Sequence, residues 1–357
     1  MTAEQLDAQP AHAGDWVLGV DIGGTGVRLA AARLTADGPA GRPATTGAPA
    51  PRPAAAWPAI AAELELRSPA RTGADGIDAG ALLDPLLPAV RALLGQVGTA
   101  AVHSVAVGAS GMALLGRDLA ARLPDPLTEA CGARRLILAS DAVAAYAGAL
   151  GARPGVVVAA GTGMVALGTD LATGWHRADG WGHLLGDCGG GAWIGRAALD
   201  AALRAHDGRA GGSAALLDLA VRRLGPVTGL PAAVQRSDRA GLLASLAPDV
   251  AAAAEAGERV ALDILARAAR EIAATAIAAA ARIEGPRYVA LTGRLFEFGP
   301  LLRGPVEQHL GAGLDDARLV PAEGPPLLGA VRLAAAAAVG DLPWPAEAPL
   351  LRVIQRP

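Results

Sequence analysis

Val20-Asp21-Ile22-Gly23-Gly24-Thr25-Gly26 and Val158-Ala159-Ala160-Gly161-Thr162-Gly163 are one device written twice in the chain. In each, an apolar run meets a glycine-rich bend and a second apolar run follows: Trp16 to Ile22 then Val27 to Leu34, and Gly155 to Ala160 then Met164 to Gly168. Apolar run, glycine turn and apolar run read as a β-hairpin. The interval between the two copies is far longer than any solenoid repeat. The pattern implies a duplicated α/β unit with a cleft between the copies.

Moving outward, residues 78–97 suit a helix, Val102 to Val107 a buried strand and Arg135 to Ala139 another. Asp141 to Leu150 then opens a helix, with Ser140 or Asp141 as its N-cap. Helical patterns dominate from about 190 to 283. After them come a strand at Tyr288 to Leu291, a turn at Thr292-Gly293, a helix, a strand at Arg318 to Val320 and a last helix from Leu327 to Val339. Strands alternating with helices imply α/β layers. Residues 1–14 read as a disordered tail. The Pro/Ala/Gly-rich stretch 36–58 reads as loop with at most one short strand.

The chemistry-bearing residues cluster at these turns. In the first hairpin, glycines let backbone N–H groups approach a phosphate, and Asp21 at the strand end can hold Mg²⁺ directly or through water. The same residues also make an ordinary glycine turn with a surface Asp. Gly161, Thr162 and Gly163 supply a second set of donors from the other half. Asp141 stands where a buried strand becomes a helix. A carboxylate there can take the proton of an attacking hydroxyl, and it can equally be a plain cap. The densest signal is Asp179-Gly180-Trp181-Gly182-His183-Leu184-Leu185-Gly186-Asp187-Cys188-Gly189-Gly190-Gly191-Ala192-Trp193-Ile194-Gly195-Arg196. It suits a loop shaped around a small polar ligand, with Asp187 accepting hydroxyl hydrogen bonds. The following helix, from about Ala192, would aim its N-terminus at the loop and favour anions. Thr292-Gly293 can carry an adenosine.

Composition narrows the classes. The chain has 357 residues, enough for two domains, and a formal net charge of -3, which argues against a polyanion-binding surface. It contains no lysine, which excludes a P-loop NTPase and Schiff-base chemistry. Cys131 and Cys188 are its only cysteines, too few for a Cys-rich zinc or iron–sulfur site, and they suit a reduced, cytoplasmic protein. The apolar stretch Ala261 to Ile283 is broken by Asp263, Arg267, Arg270, Glu271 and Arg282, so it reads as an amphipathic helix rather than a membrane span.

Taken in order, the five segments resemble the N-acetylglucosamine kinase / BadF-BadG-BcrA-BcrD ATPase-type family over about residues 16 to 340. The strongest stretch is Gly180-Trp181-Gly182-His183-Leu184-Leu185-Gly186-Asp187 followed by Trp193-Ile194-Gly195-Arg196. The resemblance implies a duplicated actin-like, RNase H-like fold. Its N-terminal domain would run over 15–150, completed by the C-terminal helix 325–345, and the larger C-terminal domain over 151–324. It implies Mg²⁺ and ATP, cleft closure and phosphorylation of an amino sugar, usually at the 6-hydroxyl. By motif, Asp21 would lie near Mg²⁺. Gly23, Gly24, Thr25, Gly161, Thr162 and Gly163 would line the phosphates, and Gly293 the adenosine. Asp141 would be the general base, and Gly180, Trp181 and Asp187 would bind the sugar.

Several positions depart from the family pattern. Met164 and Val165 replace polar residues after the second turn, Cys188 replaces a glutamate after the Gly-Asp pair, and Arg294 replaces a glycine. The stretch Gly47 to Pro51 lacks the usual asparagine. Polar sugar contacts are thereby lost, which leaves N-acetylglucosamine and glucosamine both open as acceptor. Two other readings fit the same scaffold: a BadF-type ATPase that drives a partner, and a non-catalytic sugar-binding sensor. The ROK type of sugar kinase carries a Cys-rich zinc motif that this chain lacks. Neither nucleic acid nor membrane is implied as a partner, and a homodimer is allowed.

Overall fold

The computed structural model describes residues 15–23, 26–34, 57–67, 72–73, 76–112, 116–236, 238–285 and 287–355. The tail 1–14, Gly24, Thr25 and the Gly47–Pro51 stretch lie outside the described residues. Strands come in chain order as β1 (Trp16–Gly23), β2 (Gly26–Arg33), β3 (Ile60–Leu66), a short pair β4 (Thr72–Gly73) and β5 (Gly76–Ile77), β6 (Ser104–Ala109) and β7 (Arg135–Ser140). A second set follows: β8 (Gly155–Ala160), β9 (Met164–Thr169), β10 (His176–Asp179), β11 (Arg287–Thr292) and β12 (Ala317–Val320). A last strand, β13 (Leu351–Gln355), returns to the first sheet.

The two main sheets share one plan. The first has the order β13-β7-β6-β1-β2-β3 and the second β10-β9-β8-β11-β12. In each, two antiparallel neighbours flank the central strand on one side and two parallel ones on the other. Central β1 and β8 are buried almost throughout, which is why they read as unbroken apolar runs. The strand expected at Val102 to Val107 begins two residues later, at Ser104. β3 and β13 had no counterpart in the sequence reading. β3 is a sheet edge whose IAAELEL alternates half-buried and exposed residues. β13 pairs antiparallel with β7.

Two helices join the halves. In the helix Asp141–Ala149 every residue after Asp141 is buried, and it packs against strands of both sheets. The helix Pro326–Val339 crosses it so closely that only glycine fits. A Cβ on Gly329 would lie 1.8 Å from the Ala144 carbonyl oxygen, and one on Gly148 would lie 2.3 Å from that of Pro325. Ala-rich helices permit this because their side chains add little bulk.

The C-terminal end of the Asp141 helix is fixed by charge. The Arg332 guanidinium donates to the Ala147 and Gly148 carbonyls (2.8 and 3.1 Å). Glu323 joins Arg332 (2.7 Å) to Arg153 (2.6 Å). Arg153 and Glu323 sit on the two segments by which the chain leaves the first sheet and returns to it. Cations at a helix C-terminus also meet its partial negative charge. No helix among the described residues is long and apolar enough to cross a membrane.

Candidate active site

The candidate residues lie at the C-terminal ends of β1, β6 and β7 and at the second hairpin. Open α/β sheets place ligands at such strand ends. Asp21 pairs with Gly108 on β6, and Ala109 pairs with Ser140 on β7, so Asp21 and Asp141 stand about two strand spacings (roughly 10 Å) apart along the backbone. Ser110 ties them together. Its N–H donates to the Ile22 carbonyl (3.0 Å) and its hydroxyl to the Asp141 carboxylate (2.9 Å).

The capping question resolves in favour of Ser140. Its hydroxyl accepts from the Val143 N–H (3.3 Å), so Asp141 is the first residue of the helix and not its cap. One Asp141 oxygen accepts from Ala142 N–H (2.9 Å). Burial raises the Asp141 carboxyl above the usual range, and the Ser110 hydroxyl and Ala142 N–H oppose that shift. A carboxyl displaced upward is better matched to accepting a proton near neutrality.

Asp21 is also buried, at 9% exposure. Burial pushes it up to about 6, Arg28 opposes this and the Asp141 charge adds to it. Arg28 is drawn off toward Glu65 (3.5 Å). Asp21 has no hydrogen-bond donor among the described residues, and no group of three His, Cys, Asp or Glu side chains there is placed to hold a metal. This donor set suits a hard cation that brings phosphate and water oxygens of its own, and it does not suit a metal caged by protein alone.

The second hairpin is rigid. The Gly161 N–H donates to the Gly163 carbonyl (2.9 Å), which leaves the Thr162 and Gly163 N–H groups without an acceptor among the described residues. The Gly161 and Thr162 carbonyls accept from the Gly191 and Ala192 N–H groups, 2.9 Å each. This corrects the expectation for the helix Gly191–His206: its first donors are spent on the hairpin and do not face the loop. Gly293 abuts the same hairpin, for a Cβ there would lie 2.2 Å from the Ala160 carbonyl oxygen, and its φ is +103°.

The glycine-rich loop docks onto this hairpin. A Cβ on Gly163 would lie 2.3 Å from an Asp187 carboxylate oxygen, and one on Gly180 would lie 2.8 Å from Val165. The other Asp187 oxygen accepts from the Gly182 N–H (3.0 Å). Burial pushes Asp187 up to about 6; the Gly182 N–H opposes this, the charges of Asp179 and Asp141 add to it, and Arg177 opposes it. Asp141 therefore lies within electrostatic reach of both Asp21 and Asp187. Trp181 is 57% exposed, with Arg177 stacked 4.3 Å from its ring centre. Leu184 and Leu185 are exposed beyond it. Met164 is buried in the core of the second half, so the apolar residues after the second turn serve packing.

Three residues of this region escaped the sequence reading as contributors: Ser110, Arg177 and Asp179. The carboxylate of Asp179 accepts from the Asp187 and Cys188 N–H groups (2.7 and 2.8 Å). Its placement just before Gly-Trp-Gly was the available signal. Cys131 and Cys188 are free thiols, and burial pushes Cys131 up to about 11.

Paired sheets of similar plan, joined by two helices and carrying carboxylates and glycine turns at their strand ends, define the actin-like class of sugar kinases and ATPases. The chain belongs to the BadF/BadG/BcrA/BcrD ATPase family, whose model matches residues 18–324. A solved structure from Chromobacterium violaceum, described as a proposed N-acetylglucosamine kinase, is 26% identical with a TM-score of 0.65, covering 90% of this chain and 99% of that one. A glucokinase of the ROK family from Streptomyces griseus, solved with glucose and AMPPNP, shares the fold at 19% identity and a TM-score of 0.53, over 89% of this chain and 97% of that one. The N-acetylmuramic acid/N-acetylglucosamine kinase of Clostridium acetobutylicum is 40% identical over 75 residues, which are 21% of this chain. That match spans about a quarter of the relative's length (24%).

Proposed function

We propose that the chain is a cytoplasmic, ATP-dependent kinase that phosphorylates a hydroxyl of an amino sugar, N-acetylglucosamine or glucosamine, at O6. What supports this is that Ser110 links the Ile22 carbonyl, next to Asp21, to the Asp141 carboxylate, while Asp187 presses against Gly163 of the second glycine turn. Acidic groups at such density suit a site that meets a cation, a phosphate chain and a polyol. The family and the Chromobacterium likeness support the same class.

In this reading the Gly23–Gly26 turn, including Gly24 and Thr25, and the Thr162 and Gly163 N–H groups hold the triphosphate from both sides. Gly161 shapes the second turn and Gly293 lies by the adenosine. Asp21 would hold Mg²⁺, directly or through water, and that ion offsets phosphate charge when bound. Asp187 accepts from sugar hydroxyls, while Gly180 and Trp181 shape the wall beside them. Asp141 accepts the proton of the attacking hydroxyl as it meets the γ-phosphate in line. Ser110 keeps that carboxylate aimed. The domains 15–150, with 325–345, and 151–324 close on the ligands and exclude water, so that sugar and not water is the acceptor.

The test is a coupled ADP-release screen over glucosamine, N-acetylglucosamine, N-acetylmuramic acid, glucose and mannosamine, beside Asp141→Asn. Sugar-dependent ADP release that falls at least about a hundredfold in the variant is the expected result. ADP release independent of sugar would favour a BadF-type ATPase. Thermal stabilisation by a sugar without turnover would favour a sensor.

A further inference from the structure

Asp187 and Cys188 form a sharp turn of the glycine-rich loop, and a carboxylate from another element holds their backbone. Asp179, at the end of β10, lays its carboxylate across the backbone of residues 187 and 188, taking one N–H on each oxygen. Gly186 passes beneath it: a Cβ at that position would lie 2.2 Å from an Asp179 oxygen.

Asp179 has φ 57° and Asp187 φ 54°, the left-handed region that few residues other than glycine, asparagine and aspartate adopt. Hydrogen bonds to an ionised acceptor are the strong kind and can hold such a turn. The held conformation aims one Asp187 oxygen at Gly163 and the other at the Gly182 N–H.

We propose that Asp179 is a positioning residue for the glycine-rich loop, its carboxylate holding from the end of β10 the backbone that presents Asp187. Its role in catalysis rests on the kinase reading; its role in holding the loop does not. Asp179 acts through Asp187 and touches neither substrate. The groups facing Asp187 are Asp179 and Arg177 from β10, Asp141 from the interdomain helix and the Gly182 N–H from the loop itself. The second hairpin presents only backbone and Thr162.

Asp179→Gly and Asp179→Asn are compared with the unaltered chain. Amide hydrogen exchange at residues 187 and 188, measured without ligand, is expected to quicken about tenfold or more in Asp179→Gly, the effect of losing roughly 1.4 kcal/mol of hydrogen bonding. In the ADP-release assay the sugar KM is expected to rise in Asp179→Gly, while the ATP KM stays within about twofold. Asp179→Asn removes a negative charge next to Asp187, so the acid limb of kcat/KM is expected to move to lower pH, a shift that a purely structural role would not produce. Unchanged exchange in a folded Asp179→Gly would overturn the proposal. If no sugar is turned over, the exchange data still decide the matter, and only the kinase reading falls.

Discussion

The two halves of the molecule have one strand plan and opposite characters. In the first, the end of β1 carries a buried carboxylate, Asp21, and neighbours two further polar groups, Ser110 and Asp141. In the second, the bend after β8 is bonded into a helix and pressed against a loop, and Gly161 and Thr162 have already spent their carbonyls. Duplication supplied the geometry twice. Divergence then gave one copy the charge and the other the rigid backbone. A ligand between them would be held by a fixed frame on one side and an adjustable electrostatic field on the other.

Substitutions at one glycine of each hairpin can break this comparison. Gly163→Ala would drive a Cβ into Asp187, and displacement of an acceptor-binding group by about 1 Å can cost on the order of a hundredfold. A hundredfold fall in kcat/KM for sugar is therefore expected in steady-state assays. Among the described residues Gly23→Ala meets nothing nearer than the Gly26 carbonyl oxygen at 4.0 Å, so its fold should survive. Only closeness to phosphate would penalise it, with the ATP KM rising several-fold and the melting temperature unchanged. Equal damage to stability at both sites would remove the contrast.

Between those extremes lies Asp21→Asn. Activity is expected to fall about 10–100-fold and to recover in part at high Mg²⁺, as for weakened metal support. The same change sharpens the electrostatic half of the comparison. Asp21 titrates near 6 when folded, above its ordinary value of 3.8, so the folded protein binds that proton more tightly. Its contribution to stability is therefore full below about pH 4 and lost as pH rises through about 6. Asp21→Asn is expected to stabilise the ligand-free protein at pH 8 by roughly 1–3 kcal/mol and to do little at pH 4. Thermal melts at the two pH values check this.

A smaller effect concerns pH and rate. Asp21 and Asp187 must both be ionised to meet a cation and a sugar, and both lie near 6. The kcat/KM of the unaltered chain is expected to fall as pH drops through about 6, more steeply than one proton alone requires. A flat profile down to pH 5 would contradict the buried setting of both groups.

The frame was legible in the sequence because glycine bends and apolar runs are local signals. β1, β8, the helix from Asp141 and the closing helix near 326–339 all follow from runs of adjacent residues. β3 and β13 were not legible: one mixes Glu with Ala and Leu at a sheet edge, and the other is five residues whose only reason to be a strand is the free edge of β7. In the site, Asp141 showed itself by lying where strand becomes helix. Ser110 did not, because its meaning depends on two strands that the chain brings together from distant positions. Asp179 did not, because its work is to hold the backbone eight residues away, and its place just before Gly-Trp-Gly marks the position without showing that role.

The central claim is that both hairpins grip one triphosphate while Asp141 faces the acceptor. A crystal structure with AMPPNP, Mg²⁺ and N-acetylglucosamine tests it most directly. The expected result is a phosphate chain in contact with the Gly23–Gly26 turn and with the Thr162 and Gly163 N–H groups, and a sugar hydroxyl within about 2.6–3.2 Å of the Asp141 carboxylate. A nucleotide that touches only one half, or a sugar whose hydroxyls all lie beyond hydrogen-bond reach of Asp141, would contradict it.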